Sequence, residues 1–251
     1  MIGASLYRAW SRLAARSVGA GADLPYRGPS QGNNQGLDRP GGKMLKLNLG
    51  CGPQVVPGWM NIDYALGARL ASVPVLKPIV KRLGIFRVDW DPRIVIHDLT
   101  KPLPWDSGTV DACYTSHTVE HMSREQGQFL VTEAYRVLKP GGVLRVVVPD
   151  LRAVVDKYRS GEMPAEDVVE ALGVLYGGDK QGLRRVLAPL IEYPHKCMYD
   201  TDSMIRLLES AGFEATGRAA FDSEIDDIRD IELPARTVEA VIVEGRKPRV
   251  Q

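Results

Sequence analysis

Leu47-Asn48-Leu49-Gly50-Cys51-Gly52 is the stretch of this 251-residue sequence that best predicts its fold. It closes an apolar run that starts at Met44, and a short apolar run of this kind is typical of a buried β-strand. The two glycines allow a tight turn, because glycine adopts positive φ and lets a ligand approach the backbone closely. A strand that ends in such a turn is predicted to form a ligand cradle at the carboxyl edge of an open α/β sheet.

The residues after the turn argue against a dinucleotide cofactor. The fingerprint Gly-x-Gly-x-x-Gly requires a third glycine at position 55, where this sequence has Val55. The intervening pair Pro53-Gln54 does not open an obvious helix. NAD and FAD are therefore disfavoured, and an ordinary tight turn is the alternative for the Gly-x-Gly considered alone.

The composition fits one main domain with a large core. The chain is 44% hydrophobic and 25% charged, and folded chains near this size bury roughly 70 to 75% of their unfolded surface. A net charge of +1 gives no electrostatic reason to expect a nucleic-acid partner. Cys51, Cys113 and Cys197 form no Cys-x-x-Cys pair, which predicts reduced thiols and a cytoplasmic location.

Residues 1–43 differ in composition from the rest of the chain. They carry six basic residues and two acids, a net charge of +4 that leaves −3 for residues 44–251. Leu6, Trp10 and Leu13 share one face of a helix, as in a short amphipathic helix. The glycine- and proline-rich remainder is typical of a tether, and no apolar run is long enough to span a membrane. We expect a flexible N-terminal arm followed by one domain over residues 44–251.

Acids end the next two predicted strands. Asp63 closes the strand that starts at Met60, and its two carboxylate oxygens can accept from both hydroxyls of a ribose. Asp98 follows the β-branched run Ile94–Ile96, where it can accept from the exocyclic amine of an adenine. The backbone amide of Leu99 would supply the neighbouring donor.

The most reactive segment of the sequence runs from Ser116 to His121, after a fourth predicted strand. The spacing of His117 and His121 around Glu120 matches His-x-x-Glu-His, which binds zinc when a helix brings both histidines to one site. Here the next helix is predicted to begin only at Ser123, through a capping box with Gln126. No zinc site is therefore predicted, and the alternative role for either histidine is to hold a loop by hydrogen bonding.

Alternating helix and strand patterns fill the next part of the chain. A helix is predicted over residues 124–138, Lys139-Pro140-Gly141-Gly142 ends it, and residues 143–148 form a fifth strand. A late antiparallel strand is predicted over residues 237–243. The alternation predicts an α/β fold with a doubly wound, mostly parallel, seven-stranded Rossmann-like sheet. The acids within residues 222–232 are predicted to form a solvated connector.

Residues 44–150 as a whole resemble class I S-adenosylmethionine-dependent methyltransferases. The resemblance rests on the glycine turn, the two strand-end acids, the segment 117–121 and the segment from Glu133 to Asp150 that contains Lys-Pro-Gly-Gly. It implies S-adenosyl-L-methionine as the cofactor. By that resemblance the methionine part lies along Asn48, Gly50 and Gly52, the ribose on Asp63, the adenine at Asp98 and Leu99, and the sulfonium near Ser116 and His117.

Residues 151–199 are predicted to form a helical lid over the acceptor site. Their helical pieces are interrupted by glycines and prolines, and they end in an element around His195 that resembles one found in a subset of these enzymes. An alcohol acceptor must lose its proton, so a histidine near the sulfonium favours an oxygen acceptor. His117 is the first candidate for the catalytic base, and His121 and His195 are the others.

The expected reaction is O-methylation of a carbohydrate hydroxyl. The resemblance extends to methyltransferases of bacterial glycan pathways, and a mannoside of a methylated mannose polysaccharide is the sharper hypothesis. The alternatives are a quinone or small-phenol methyltransferase and a non-catalytic cofactor-binding protein on the same fold. A small molecule or oligosaccharide is thus the expected partner. A divalent cation is compatible with this chemistry but is not predicted, and no oligomeric state is predicted.

Overall fold

The computed structural model describes residues 44–73, 90–175 and 193–249. Within these ranges seven strands form one sheet in the order β3-β2-β1-β4-β5-β7-β6. β1 to β5 run parallel to one another, while β7 is antiparallel to both β5 and β6. The predicted seven-stranded, mostly parallel α/β fold is confirmed. The strands are β1 Lys46–Leu49, β2 Met60–Asp63, β3 Val95–Ile96, β4 Val110–Ser116, β5 Leu138–Pro149, β6 Glu214–Gly217 and β7 Ala240–Arg246.

Helices connect these strands. The longest, α2, begins with the predicted capping box: the Ser123 hydroxyl accepts from the Gln126 amide, and the Gln126 side chain accepts from the Ser123 amide. This pair satisfies two of the amide groups that a helix start leaves unpaired. The helices are α1 Leu66–Ala71, α2 Arg124–Val137, α3 Leu151–Ser160, α4 Ala165–Ala171, α5 Thr201–Ser210, α6 Ile228–Ile231 and α7 Pro234–Thr237, with a 3₁₀ turn over Val119–His121.

Apolar side chains cover both faces of the sheet. Along β5, Leu144, Val146 and Val148 pack into one cluster with the buried side of α2, while Val143 and Val147 pack into another with residues of the α6 region. Successive residues of a strand point to opposite faces, so a strand buried on both sides is mostly apolar. This arrangement leaves the strand ends as the place for a polar site.

The junction between α2 and β5 differs from the sequence prediction. The helix ends at Val137, and β5 starts at once because Leu138 pairs with Val110. The pairing then shifts register, and Ala112 lies opposite Val143. The Lys139–Gly142 segment, predicted as a turn, is therefore an irregular part of the strand that extends the sheet.

The acids within residues 222–232 were predicted to form a solvated connector, but part of this connector is buried. Glu232 is 2% exposed and its two carboxylate oxygens accept from Arg145 at 2.8 and 2.9 Å. Glu244 accepts from the same guanidinium at 2.8 Å. Asp227 forms an ion pair with Lys46 of β1. Because an unpaired buried charge is costly, these pairs fix the connector against the sheet.

Several predictions fall wholly or partly on other residues. The N-terminal arm over residues 1–43 lies outside the described residues, as do residues 74–89 and 176–192. Of the lid over 151–199, the structure describes α3, α4 and residues 193–199. Across the part of the chain that is described, no helix is long and apolar enough to cross a bilayer.

Deletion of residues 1–30 is expected to leave cofactor affinity unchanged. Their composition argues against a packed core, and the described sheet begins only at Lys46. Calorimetric titration of the full-length and truncated chains with S-adenosylhomocysteine measures the effect. Loss of soluble expression on truncation would contradict this prediction and show that the arm stabilises the domain.

Candidate active site

A cleft of about 490 Å³ opens at the carboxyl ends of the parallel strands. The strand order reverses between β1 and β4, and ligands of open α/β sheets bind at such a reversal point. His121 is one of seven predicted site residues that line it, and the other six follow the strand ends in order. They are Gly50 and Gly52 after β1, Asp63 at the end of β2, Asp98 and Leu99 after β3, and His117 after β4.

The glycine turn has the backbone conformation that the sequence predicts. Gly50 and Gly52 have φ of +78° and +59°. A Cβ at Gly50 would lie 2.2 Å from Oγ1 of Thr118, so the turn packs directly against the segment after β4. A Cβ at Gly52 would meet nothing within 4 Å. Gly50 is thus required by packing, while Gly52 leaves open space where a cofactor can approach the backbone.

Alanine substitutions should separate these two roles. Both add the strain of a side chain at positive φ, about 1 to 2 kcal/mol. Gly50→Ala also collides with Thr118 and is expected to lower the free energy of unfolding by about 1 to 3 kcal/mol more than Gly52→Ala does. Gly52→Ala should instead weaken cofactor binding. Urea unfolding and calorimetry measure the two effects, and equal destabilisation by both variants would contradict the packing argument.

Asp63 is held by hydrogen bonds from the loops before and after β2. Its Oδ2 accepts from the amide of Gly52 at 2.8 Å, and its Oδ1 accepts from the amide of Ala65 at 2.7 Å. A carboxylate has about four lone-pair sites, so each oxygen keeps acceptor capacity for a ligand in the cleft. This fixed orientation fits the predicted contact with a ribose diol.

The β3 side of the cleft combines one acid with apolar walls. Asp98 Oδ1 accepts from the amide and the hydroxyl of Thr100 at 2.9 and 2.7 Å. Leu66, Trp90 and Leu99 line the same cleft. An apolar surface beside an oriented carboxylate suits a purine that carries an exocyclic amine. These residues therefore fit the predicted adenine position.

Asn48 and Ser116 do not line this cleft. Both face a small recess of about 10 Å³ beside Gly50. The Asn48 amide donates to Oδ1 of Asn61 at 3.0 Å, which ties β1 to β2. The Ser116 hydroxyl is buried and has no hydrogen-bond partner among the described residues. Their contacts with the methionine part and the sulfonium stay predictions.

His117 has an unusual backbone and an oriented ring. Its φ of +52° is uncommon for a non-glycine residue, and such strain often marks a functional position. Its Nε2 lies 3.1 Å from the carbonyl oxygen of Arg236. Because a carbonyl only accepts, Nε2 carries the proton and Nδ1 keeps the lone pair. Burial lowers the pKa of His117 and so favours the neutral ring.

Glu120 is a buried acid beside this histidine. Its Oε1 lies 3.5 Å from Nδ1 of His117, and its side chain is 1% exposed. Neither carboxylate oxygen has a hydrogen-bond partner among the described residues. Burial raises the pKa of Glu120 to about 7. Glu120 was expected only as part of the zinc motif and not as a site residue.

His121 and His195 lie side by side. Their ring centroids are 4.9 Å apart, and His121 lines the cleft whereas His195 does not. His195 Nδ1 lies 2.8 Å from the carbonyl oxygen of Leu172. The helix that a His-x-x-Glu-His zinc site requires is not formed, because Val119–His121 is a 3₁₀ turn.

Arg236 is a cleft residue that the sequence analysis missed. It comes from the four-residue helix α7, lines the cleft, and its guanidinium donates to the carbonyl oxygen of Ser116 at 3.3 Å. Arg236 is 120 residues away from Ser116 in the chain, and no local pattern predicts that contact. Lys196 and Gln126 also line the cleft without having been predicted.

Comparisons with known proteins agree with this geometry. Residues 47–146 match the sequence model of the family described as "Methyltransferase domain". An uncharacterized methyltransferase of Synechocystis is 29% identical over 155 residues, which cover 57% of this chain and 68% of that protein. A ubiquinone/menaquinone biosynthesis C-methyltransferase of Ruegeria is 29% identical over 118 residues, 45% of this chain. This chain covers only 42% of the Ruegeria protein.

Solved structures align at a greater distance. An O-methyltransferase family protein from Burkholderia thailandensis is 13% identical, with a TM-score of 0.44 over 83% of this chain and 52% of that one. That likeness is too remote to bear on the acceptor. The domain match and the curated relatives, on a sheet with glycine and acid residues at successive strand ends, support an S-adenosylmethionine-dependent methyltransferase.

Proposed function

We propose that this methyltransferase transfers the methyl group to a hydroxyl oxygen of a carbohydrate. The observation that carries the proposal is His117, a histidine at the strand-order reversal whose Nε2 is held by a backbone carbonyl and whose Nδ1 keeps a lone pair. A neutral alcohol must lose its proton as it is methylated, and a positioned base contributes about 10² to 10⁴ in rate. An unprotonated amine needs no base before attack, whereas a carbon acceptor would need an activated ring.

The residues around the cleft have defined roles in this reaction. When bound, S-adenosylmethionine supplies an electrophilic methyl group. The acceptor proton passes to Nδ1 of His117, and the ring becomes a cation. Glu120, whose Oε1 lies 3.5 Å from that nitrogen, stabilises the cation when it is ionised. Alignment of donor and acceptor in one cleft can supply roughly 7 to 11 kcal/mol of the barrier.

The side chains near His117 suit an acceptor with several hydroxyls. His121, Gln126, Tyr193, Lys196 and Arg236 line the same cleft and offer hydrogen-bond donors and acceptors. Tyr193 and Lys196 belong to the end of the proposed lid over residues 151–199. A sugar can pair with such groups through its hydroxyls, while an aromatic quinone offers few partners. A mannoside is the acceptor that we propose to test first.

A quinone acceptor is the second candidate. Two observations favour it: the curated relatives include ubiquinone/menaquinone biosynthesis C-methyltransferases, and Leu66, Trp90 and Met122 add apolar surface to the cleft. The strand order places Leu66 and Trp90 toward the β2 and β3 side of the cleft, where the adenine is expected. We therefore assign the apolar surface of these two residues to the cofactor.

Incubation with methyl-labelled S-adenosylmethionine tests the proposal. The full-length chain is given mannosides, other oligosaccharides, small phenols and demethylated quinones, and the products are analysed by mass spectrometry. Label on a sugar oxygen is the expected result. Label only on a quinone ring carbon would replace the proposal by the second candidate. Cofactor binding without label in any acceptor would favour a non-catalytic binding protein.

A further inference from the structure

Three side chains of the kinds that bind metals converge beside the cleft. Glu120, His121 and His195 each offer one donor atom, and these atoms all lie within 4.8 Å of one another. Two of the residues belong to the 3₁₀ turn after β4, while the third comes from the segment that leads to α5. Their grouping depends on the fold, since His195 is far from the other two in sequence.

Several polar atoms of this cluster lack the hydrogen bonds that buried polar atoms usually make. Both carboxylate oxygens of Glu120 and Nδ1 of His121 are buried without a hydrogen-bond partner among the described residues. Glu120 is 0% exposed. An unpaired buried polar group costs about 1 to 3 kcal/mol, and more when it is charged. A bound ion is one way in which such groups are satisfied.

His195 is oriented as metal-binding histidines usually are. Its Nδ1 lies 2.8 Å from the carbonyl oxygen of Leu172, so Nδ1 donates its proton there and Nε2 is left with a lone pair. This second contact is typical of histidine ligands, because it fixes the tautomer and the ring orientation. Gly173 packs against the ring, where a Cβ would lie 2.8 Å from Nδ1 of His195.

The backbone also holds the two segments together. The carbonyl oxygen of Glu120 accepts from the amides of Lys196 and Cys197 at 2.7 and 3.1 Å. The amide of His195 donates to the carbonyl oxygen of Gly173 at 2.9 Å. These bonds fix His195 beside the 3₁₀ turn.

We propose that Glu120, His121 and His195 form a binding site for one divalent cation of the zinc class. Imidazole nitrogens suit zinc and its transition-metal neighbours, whereas magnesium and calcium prefer sites made of oxygen ligands. Three protein ligands leave at least one coordination position open, as in catalytic zinc sites. His121 lines the cleft, so the site borders the space where the acceptor is expected.

This site would assist the methyl transfer that we propose above, and that consequence rests on the proposed function. A hydroxyl oxygen bound to a divalent cation loses its proton more readily than a free hydroxyl does. Metal binding itself requires no acceptor and no methyl transfer. A test of binding is therefore independent of the activity.

Metal titration of the full-length chain tests the site directly. The protein is freed of metal with a chelator and titrated with Zn²⁺ in competition with a chromophoric chelator, and with Co²⁺ while visible absorption is recorded. We expect one equivalent of Zn²⁺ per chain and Co²⁺ absorption bands. Glu120→Gln and His195→Ala should each weaken Zn²⁺ binding at least about 10- to 100-fold, the loss seen when only an outer-shell partner is removed.

His97→Gln is the matched control. His97 is a histidine with a buried, unpartnered ring nitrogen outside the cluster, so this variant should bind Zn²⁺ as the natural chain does. Titration of every variant with S-adenosylhomocysteine checks that the cleft is intact and separates loss of the metal site from loss of methyltransferase function. The proposal is overturned by failure of the natural chain to bind one equivalent, by unchanged affinity in both cluster variants, or by an equal loss in His97→Gln.

Discussion

Asp63→Ala is expected to weaken the binding of S-adenosylhomocysteine by at least about 100-fold. A hydrogen bond to a charged group contributes roughly 1.5 to 3 kcal/mol, and the carboxylate is placed to accept from two ribose hydroxyls. The same carboxylate accepts from the amides of Gly52 and Ala65. Its removal therefore also loosens the glycine turn on which the cofactor would lie. Isothermal calorimetry at constant salt measures the change.

Asp63→Asn is the matched variant for this prediction. The amide keeps one acceptor oxygen in nearly the same place, but it turns the other position into a donor that faces a backbone amide. An intermediate loss of affinity is expected. Melting temperatures measured without ligand show how much of each effect is due to the fold. Unchanged affinity in Asp63→Ala would contradict the ribose assignment.

The sequence predicted which strand-end residues line the cleft. A strand, a turn and an acid are local patterns, and the carboxyl ends of parallel strands meet at one edge of the sheet. For this reason Gly50, Gly52, Asp63, Asp98 and His117 could be expected in one place, and they line one cleft. The prediction required only the order of the strands.

Contacts between distant segments could not be predicted in the same way. Arg145 pairs with Glu232 across 87 residues, and Arg236 reaches Ser116 across 120. The acids of the connector were expected to be solvated because charged runs usually are. A buried arginine is what makes Glu232 an exception, and nothing near Glu232 in the sequence indicates that partner.

The Ser116–His121 segment shows how one spacing can support different geometries. In a helix His117 and His121 would point into one site and could bind the same zinc ion. The 3₁₀ turn and the positive φ of His117 instead direct the His117 ring to the Arg236 carbonyl. Glu120 and His121 then meet His195, a partner supplied by a later segment. The backbone conformation, rather than the spacing, decides which side chains converge.

His117→Ala is expected to lower kcat at least about 100-fold, the lower limit for loss of a general base. Cofactor affinity should be unchanged, since the acids that are proposed to hold the cofactor lie on other strands. The variant also loses the hydrogen bond to the Arg236 carbonyl, which should cost about 1 kcal/mol of stability. Single-turnover kinetics with saturating cofactor measure the chemical step separately from product release.

His117→Gln distinguishes a base from a structural contact. The glutamine amide can still donate a hydrogen bond to the Arg236 carbonyl, but it cannot accept a proton at neutral pH. If His117 is the base, both variants lose activity to a similar extent while His117→Gln recovers the stability. Recovery of activity along with stability in His117→Gln would show that the ring only holds the loop. Near-normal turnover in His117→Ala would contradict the role of His117 as base.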